Sequence, residues 1–206
     1  IHYYIGDDLQ KQSSLGVNNS PEYWELWNLV FIQFNRLENG TLQNLSKKYV
    51  DTGAGLERLT AVLQNKKSNY DTDLFKLIIK TQENIFKNKY NDNLIAHRAI
   101  SDHIRMLVFS ISDGVVPSNE GRGYVSRRIL RRAVRFGYNM GAKQPFMSNL
   151  VDPVINIMEL EYPELKDKKI YIKKVLDVEE KSFIKTLDRG IKRFNKIIKS
   201  NKSISG

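Results

Sequence analysis

The sequence predicts an α+β chain: part of an antiparallel sheet with flanking helices, followed by an all-helical domain. A dense aromatic and β-branched run fills residues 23–35, and Asn39-Gly40 behind it is a hairpin turn signal. From Leu56 onward the apolar residues recur at helical spacing instead. The polar, turn-like stretch Asn88 to Asn93 then separates the mixed part from one that reads as helix alone, giving domains 1–88 and 89–206.

Each element has its own signal. Residues 1–20 read as a strand end at His2 to Gly6 and then a loop rich in Gly and Asn. In the 23–35 run, alternation puts Trp24, Leu26, Asn28, Val30, Ile32 and Phe34 on one face. Glu25, Trp27, Leu29, Phe31 and Gln33 fall on the other. Both faces are largely apolar, which predicts a central strand. Its partner run is expected between Thr41 and Lys47. Val50 to Gly53 reads as a strand that passes through glycines into a helix carrying Leu56, Leu59, Val62 and Leu63 on one face. Further helices are expected over 72–87, 94–112, 123–137, 148–160 and 167–200, with a Gly- and Pro-containing loop from Ser112 to Arg122.

Composition narrows the function classes. No apolar run approaches the length of a membrane span, so no membrane partner is expected. Cysteine is absent and there are only three His, which excludes disulfides and a Cys nucleophile and predicts no zinc site in this chain. The start at Ile1 reads as a cut inside a longer protein. The net charge of +10, with 33 Lys+Arg against 23 Asp+Glu, favours a polyanionic partner. Lys pairs such as Lys47-Lys48 fit a generally basic drift, and the Lys192 to Lys202 end fits a solvated helix face.

Three constellations could carry chemistry. In Asp51-Thr-Gly-Ala-Gly55-Leu-Glu-Arg58, glycines at a strand-to-helix junction let backbone approach a ligand. Arg58, one turn in, could offer a planar fork to phosphate, and Asp51 could hold a cation or an amine. A tight turn with a surface Arg is the competing reading of those residues. Asn28 is a polar group in an apolar row, suited equally to a backbone partner or a ligand. Beyond Arg122, a helical wheel collects Arg127, Arg128, Arg131, Arg132 and Arg135 on one arc, opposite Val125, Ile129, Ala133 and Phe136. With no acidic residue on that face, it suits either a nucleic-acid backbone or the acidic groups of a neighbouring element. His103 reads as a core histidine, and His97 lies beside the domain boundary.

Several stretches together resemble the alanyl-tRNA synthetases, which are class II aminoacyl-tRNA synthetases. They are Glu25 to Asn35, Val50 to Leu59, Ser68 to Phe75, Ser101 to Arg105, Asp113 to Val125, Arg127 to Arg135 and Glu179 to Gly190. The resemblance implies the C-terminal part of a class II catalytic domain, carrying its third motif, and the first part of a helical tRNA-recognition domain. It implies ATP-dependent activation of L-alanine and transfer to the 3′ end of tRNA(Ala), with ATP and Mg²⁺ required. It gives Arg58 the ATP phosphates, and sets Leu26, Trp27, Asn28 and Gly55 around nucleotide and alanine. Asp51, with Asn28, receives the alanine. Asn119 reads the acceptor-stem base pair that marks the alanine tRNA, and Arg122, Arg127, Arg128, Arg131 and Arg135 support tRNA or an interdomain contact. The first motif, most of the second, and the editing domain are absent from these residues, so the isolated chain is expected to be inactive. Ser126 stands where the family has an apolar residue. A cytoplasmic location is expected, with an organelle left open. The competing readings are a non-catalytic RNA-binding module and a self-associating domain built on the 167–200 helix.

Overall fold

A computed structural model describes the backbone of residues 1–200 and the side chains as far as Lys199. The last two residues of the Lys192 to Lys202 end, and the close of the expected 89–206 domain, lie outside the described residues. The chain divides into two compact units, Ile1–Leu74 and the part from Phe75 onward.

The first unit is built on two small antiparallel ladders. Strand β1, His2–Tyr4, pairs with β2, Tyr23–Glu25. The loop between them is tightened by Asp8 and Ser13, whose side chains accept from the backbone of Gln10 and Leu15. Tyr4 is buried and packs tilted on Tyr23, ring centroids 5.0 Å apart. Strands β3, Trp27–Arg36, and β4, Leu42–Ala54, form a long hairpin whose register shifts between Ile32 and Phe34. At its tip Gly40 takes φ of 84°, a conformation that costs an L residue, and Asn39 Oδ1 accepts from Thr41 N–H. Helix α1, Leu56–Leu63, follows directly.

Two expectations are corrected here. The 23–35 run is not one strand, because Leu26 interrupts it between β2 and β3. Nor is it central: β3 pairs with β4 alone, and every residue of β3 is exposed. Two apolar faces do form, as alternation requires, but no third strand among the described residues covers them. The partner strand is also longer than expected, running unbroken through Val50 to Gly53.

Among the described residues, none after Ala54 belongs to a strand. The second unit comprises most of α2 (Asp73–Phe86), α3 (Leu94–Ser112), α4 (Gly121–Asn139), α5 (Val151–Met158), the short α6 (Glu164–Asp167) and α7 (Lys169–Ser200). Its core is the α3 stripe Ile100, Ile104, Leu107 and Ile111, meeting Leu130 of α4, Leu150 and Val154, and Ile172 and Leu176 of α7. Each such side chain contributes roughly 1.5–3 kcal/mol of burial. The compact division falls one helix earlier than the polar stretch suggested. The reason lies in α2: its Gln82 bonds Ser101 Oγ of α3 at 2.7 Å, and its Phe86 meets Phe146 edge-on at 4.9 Å.

The buried stripe of α4 also differs from the one read off the wheel. Ser126, Leu130, Ala133, Val134 and Gly137 are buried, whereas Val125 is exposed. The inward face is thus rotated, and Ser126 occupies an interior position. Gly137 is obligatory, since a Cβ there would stand 2.3 Å from the Phe146 ring.

Candidate functional site

The base of the β3–β4 hairpin gathers most of the first constellation. Register pairs Asn28 with Gly53 and Val30 with Asp51. Directly opposed residues share a face, so Asn28, Gly53 and Asp51 lie together, with Asn28 and Asp51 a diagonal pair about 7–8 Å apart. Trp27 lies on the opposite face. Its indole N–H donates to Thr52 Oγ1 at 2.5 Å, and Thr52 in turn donates to the Asn28 carbonyl at 3.0 Å. The indole is therefore set apart from the Asn28–Asp51 face.

The hairpin ends where Gly55 N–H donates to the Leu26 carbonyl at 3.0 Å and caps α1. Arg58, in the first turn, donates from Nη1 to the Glu25 carbonyl at 2.8 Å. Leu26 is buried, while Asp51, Gly55 and Arg58 are exposed. Neither glycine answers a backbone need. Neither has positive φ; a Cβ on Gly53 would meet nothing within 4 Å, and one on Gly55 only the Arg58 stem at 3.8 Å. What their missing side chains provide is bare, accessible backbone beside a carboxylate and a guanidinium.

The arginines of α4 divide into two sets. Arg127 and Arg131 turn toward α7 and share one carboxylate. Arg127 Nη2 donates to Glu179 Oε2 at 3.0 Å, and Arg131 Nη2 to Glu179 Oε1 at 3.1 Å. Arg127 Nη1 also donates to the Oδ1 of Asn119. Arg122, Arg128, Arg132 and Arg135 remain exposed, Arg128 over the Tyr124 ring and Arg132 over the Phe136 ring.

An open groove of about 640 Å³ runs along this helix. Arg128, Arg131, Arg132 and Arg135 line it with His103 and Phe183, and no carboxylate does. His103 is not the satisfied core histidine expected of it. Its Nε2 is buried without a partner among the described residues, and burial together with the nearby Arg132 charge holds its pKa below the usual value. The fully buried histidine is His97, whose Nδ1 lies 3.2 Å from Gln82 Oε1 while its Nε2, like that of His103, has no partner among the described residues.

Sequence reasoning missed two acidic residues. Glu179 orders the arginine face. Glu180 is fully buried and accepts from the backbone N–H groups of Phe146 and Met147, each at 3.0 Å. Its signal was present: Glu180 falls on the same helical stripe as Ile172, Leu176 and Phe183, where an apolar residue is expected. Among the described residues no three His, Cys, Asp or Glu side chains cluster to hold a metal ion. No helix there is long and apolar enough to cross a membrane.

A hairpin-and-glycine junction opening into a helix, in one chain with an arginine-faced helix, has a counterpart among known proteins. The family model described as tRNA synthetases class II (A) matches residues 1–206, and the chain belongs to that family. Within it, three similar curated proteins carry one name. An alanine–tRNA ligase of Francisella philomiragia is 52% identical over 213 aligned positions, covering 100% of this chain and 24% of the relative. One from Staphylococcus epidermidis is 47% identical over 203 positions, and one from Anaeromyxobacter dehalogenans 46% over 201. These cover 97% and 93% of this chain. The chain spans about a quarter of the length of these relatives, 22–24%.

Proposed function

We propose that this chain is the part of an alanine–tRNA ligase that carries the third class II motif and the first part of the tRNA-recognition region. The observation that carries the proposal is the register that sets Asn28, Gly53 and Asp51 on one face of the hairpin, with Arg58 at its base. Alanine docks on that face: the Asp51 carboxylate takes the ammonium, a charge-assisted contact, and Asn28 completes the pocket. ATP lies over the bare backbone at Gly55 and Leu26, with Arg58 moving from the Glu25 carbonyl to the phosphates. Trp27 stays in the nucleotide assignment through the resemblance alone, because its indole is held on the far face by Thr52. The exposed apolar faces of the hairpin support its membership in a larger antiparallel sheet.

The two domains of this reading are 1–88, the catalytic part, and 89–206, a helical tRNA-recognition domain. In the second, Asn119 meets the marker base pair of tRNA(Ala) from the minor groove, and Arg122, Arg128 and Arg135 neutralise backbone phosphate. Chemistry consists of positioning and charge stabilisation. ATP supplies the phosphorus that the alanine carboxylate attacks, forming the acyl–phosphate bond and releasing pyrophosphate. The acyl group then passes to the terminal ribose hydroxyl, releasing AMP. The working location is the cytoplasm.

In the enzyme translated from the full reading frame, Asp51→Asn is expected to raise the KM for alanine about 30-fold, the loss of roughly 2 kcal/mol of charged hydrogen bonding. Gly53→Ala is expected to raise it about ten-fold by filling the surface the ligand approaches. Both variants should keep the thermal midpoint, since a Cβ at Gly53 meets no atom within 4 Å. ATP–pyrophosphate exchange at increasing alanine reads the result. Unchanged alanine KM in both variants would remove the hairpin face from the site. The 206-residue chain alone is expected to show no exchange.

A further inference from the structure

We propose that Arg127, backed by Glu179, is a positioning residue that fixes Asn119 as a hydrogen-bond donor toward RNA. The inference rests on the reading that Asn119 meets the acceptor stem, and adds which edge it presents. A guanidinium has donors and no acceptor, so the Asn119 atom that faces Arg127 must be the carbonyl oxygen. The amide is then not free to flip, and its Nδ2 amino group points away from Arg127 on an exposed residue.

Arg127 is itself held. Its Nη2 donates to Glu179 Oε2 at 3.0 Å, and its Nε lies 2.9 Å from Oε1 as an ion-pair contact without hydrogen-bond geometry, which leaves Nη1 for Asn119. Side-chain exposures of 19% for Arg127 and 12% for Glu179 put this pair largely out of water, where the bonds hold geometry more firmly. The loop carrying Asn119 is fixed as well. Ser118 N–H donates to the Gly123 carbonyl at 3.0 Å, and Ser118 Oγ donates to the Glu120 carbonyl at 2.9 Å. A Cβ on Gly123 would stand 2.4 Å from the Val116 carbonyl, so the loop lies against α4 only because that residue is Gly.

The chemistry presented is one N–H donor at a defined place. It pairs with an acceptor on the minor-groove edge of an RNA helix, a pyrimidine O2 or a purine N3, and discriminates by where the base pair places that acceptor.

Two acceptor-stem hairpins test this, one with the marker pair of an alanine tRNA and one with that pair replaced by a Watson–Crick pair. Their Kd ratio is measured by fluorescence anisotropy with the 206-residue chain. The wild-type ratio is expected to be about ten-fold. Asn119→Asp keeps an oxygen for Arg127 and replaces the donor by a second acceptor, and is expected to bring the ratio to about one with the thermal midpoint retained. Arg127→Lys, which cannot span Glu179 and Asn119 together, is expected to match Asn119→Ala, and the Arg127→Lys/Asn119→Ala double variant to add no further loss of ratio. A ratio kept in Asn119→Asp, or kept in Arg127→Lys while Asn119→Ala loses it, overturns the proposal. A ratio kept in Asn119→Ala overturns instead the reading of Asn119 on which it stands.

Discussion

Replacing Arg128 and Arg135 together by Glu is expected to weaken binding of an acceptor-stem RNA hairpin about 100-fold, equally for hairpins with and without the marker pair. The choice of residues follows from how the α4 arginines divide. Arg127 and Arg131 are committed to Glu179, and reversing them would break an ion-pair cluster within the unit. Among the described residues Arg128 and Arg135 have no ion-pair partner, and both line the groove that no carboxylate enters. Each charged contact with a phosphate is worth roughly 1.5 kcal/mol, so two together give about two decades. The slope of log affinity against log salt should also fall by about 2 or more. Exposed substitutions of this kind shift stability by about 0.5 kcal/mol or less, so an unchanged thermal midpoint separates lost binding from lost fold. Unchanged affinity with an unchanged salt slope would take the RNA backbone away from this face.

The helices were legible because their signal is local. The stripe Ile100, Ile104, Leu107 and Ile111 needs only its own 3.6-residue period to declare α3, and all four side chains are fully buried. The hairpin was legible for its turn, since Asn39-Gly40 asks for the positive φ that Gly40 adopts. What periodicity could not supply was the number of partners. Two apolar faces on 23–35 say that both faces suit burial, and β3 nonetheless stands exposed beside a single partner. The wheel of α4 missed its inward centre for a related reason. Val125 and Ile129 weigh as core by hydropathy, yet they line the arginine groove, while small residues such as Ser126 and Gly137 face inward because α4 packs closely there. At the site, strand parity foretold that Asp51, Gly53 and Asn28 could share a face only once the register was known. The partition of the arginines depended on Glu179, some fifty residues away in sequence, which no local pattern could reveal.

Replacing Glu180 by Ala is expected to cost about 4 kcal/mol of stability near pH 5 and only about 1 kcal/mol near pH 8. The large cost has two sources. The backbone N–H groups of Phe146 and Met147, whose acceptors are the two oxygens of this carboxyl, are left unsatisfied in the interior, at roughly 1–3 kcal/mol each. Truncation also opens a cavity between α7 and the 146–147 turn, beside the buried Phe146 and Met147 side chains. The dependence on pH follows from burial, which pushes the Glu180 carboxyl up from 4.5 to about 7 against the two backbone donors that favour its ionised form. Because the folded value lies above the unfolded one, the folded state prefers the proton. The stability Glu180 contributes is complete below about 4.5 and is lost as pH rises through about 7. A shift of that size corresponds to roughly 3 kcal/mol, taken from the wild type between mildly acid and mildly alkaline solution. Glu180→Ala has no such proton to lose, so its stability should be the flatter of the two across the same range. Urea unfolding followed by helical signal at a series of pH values measures both curves. Parallel curves would mean that Glu180 enters the folded state already ionised, its charge carried by the Phe146 and Met147 amides.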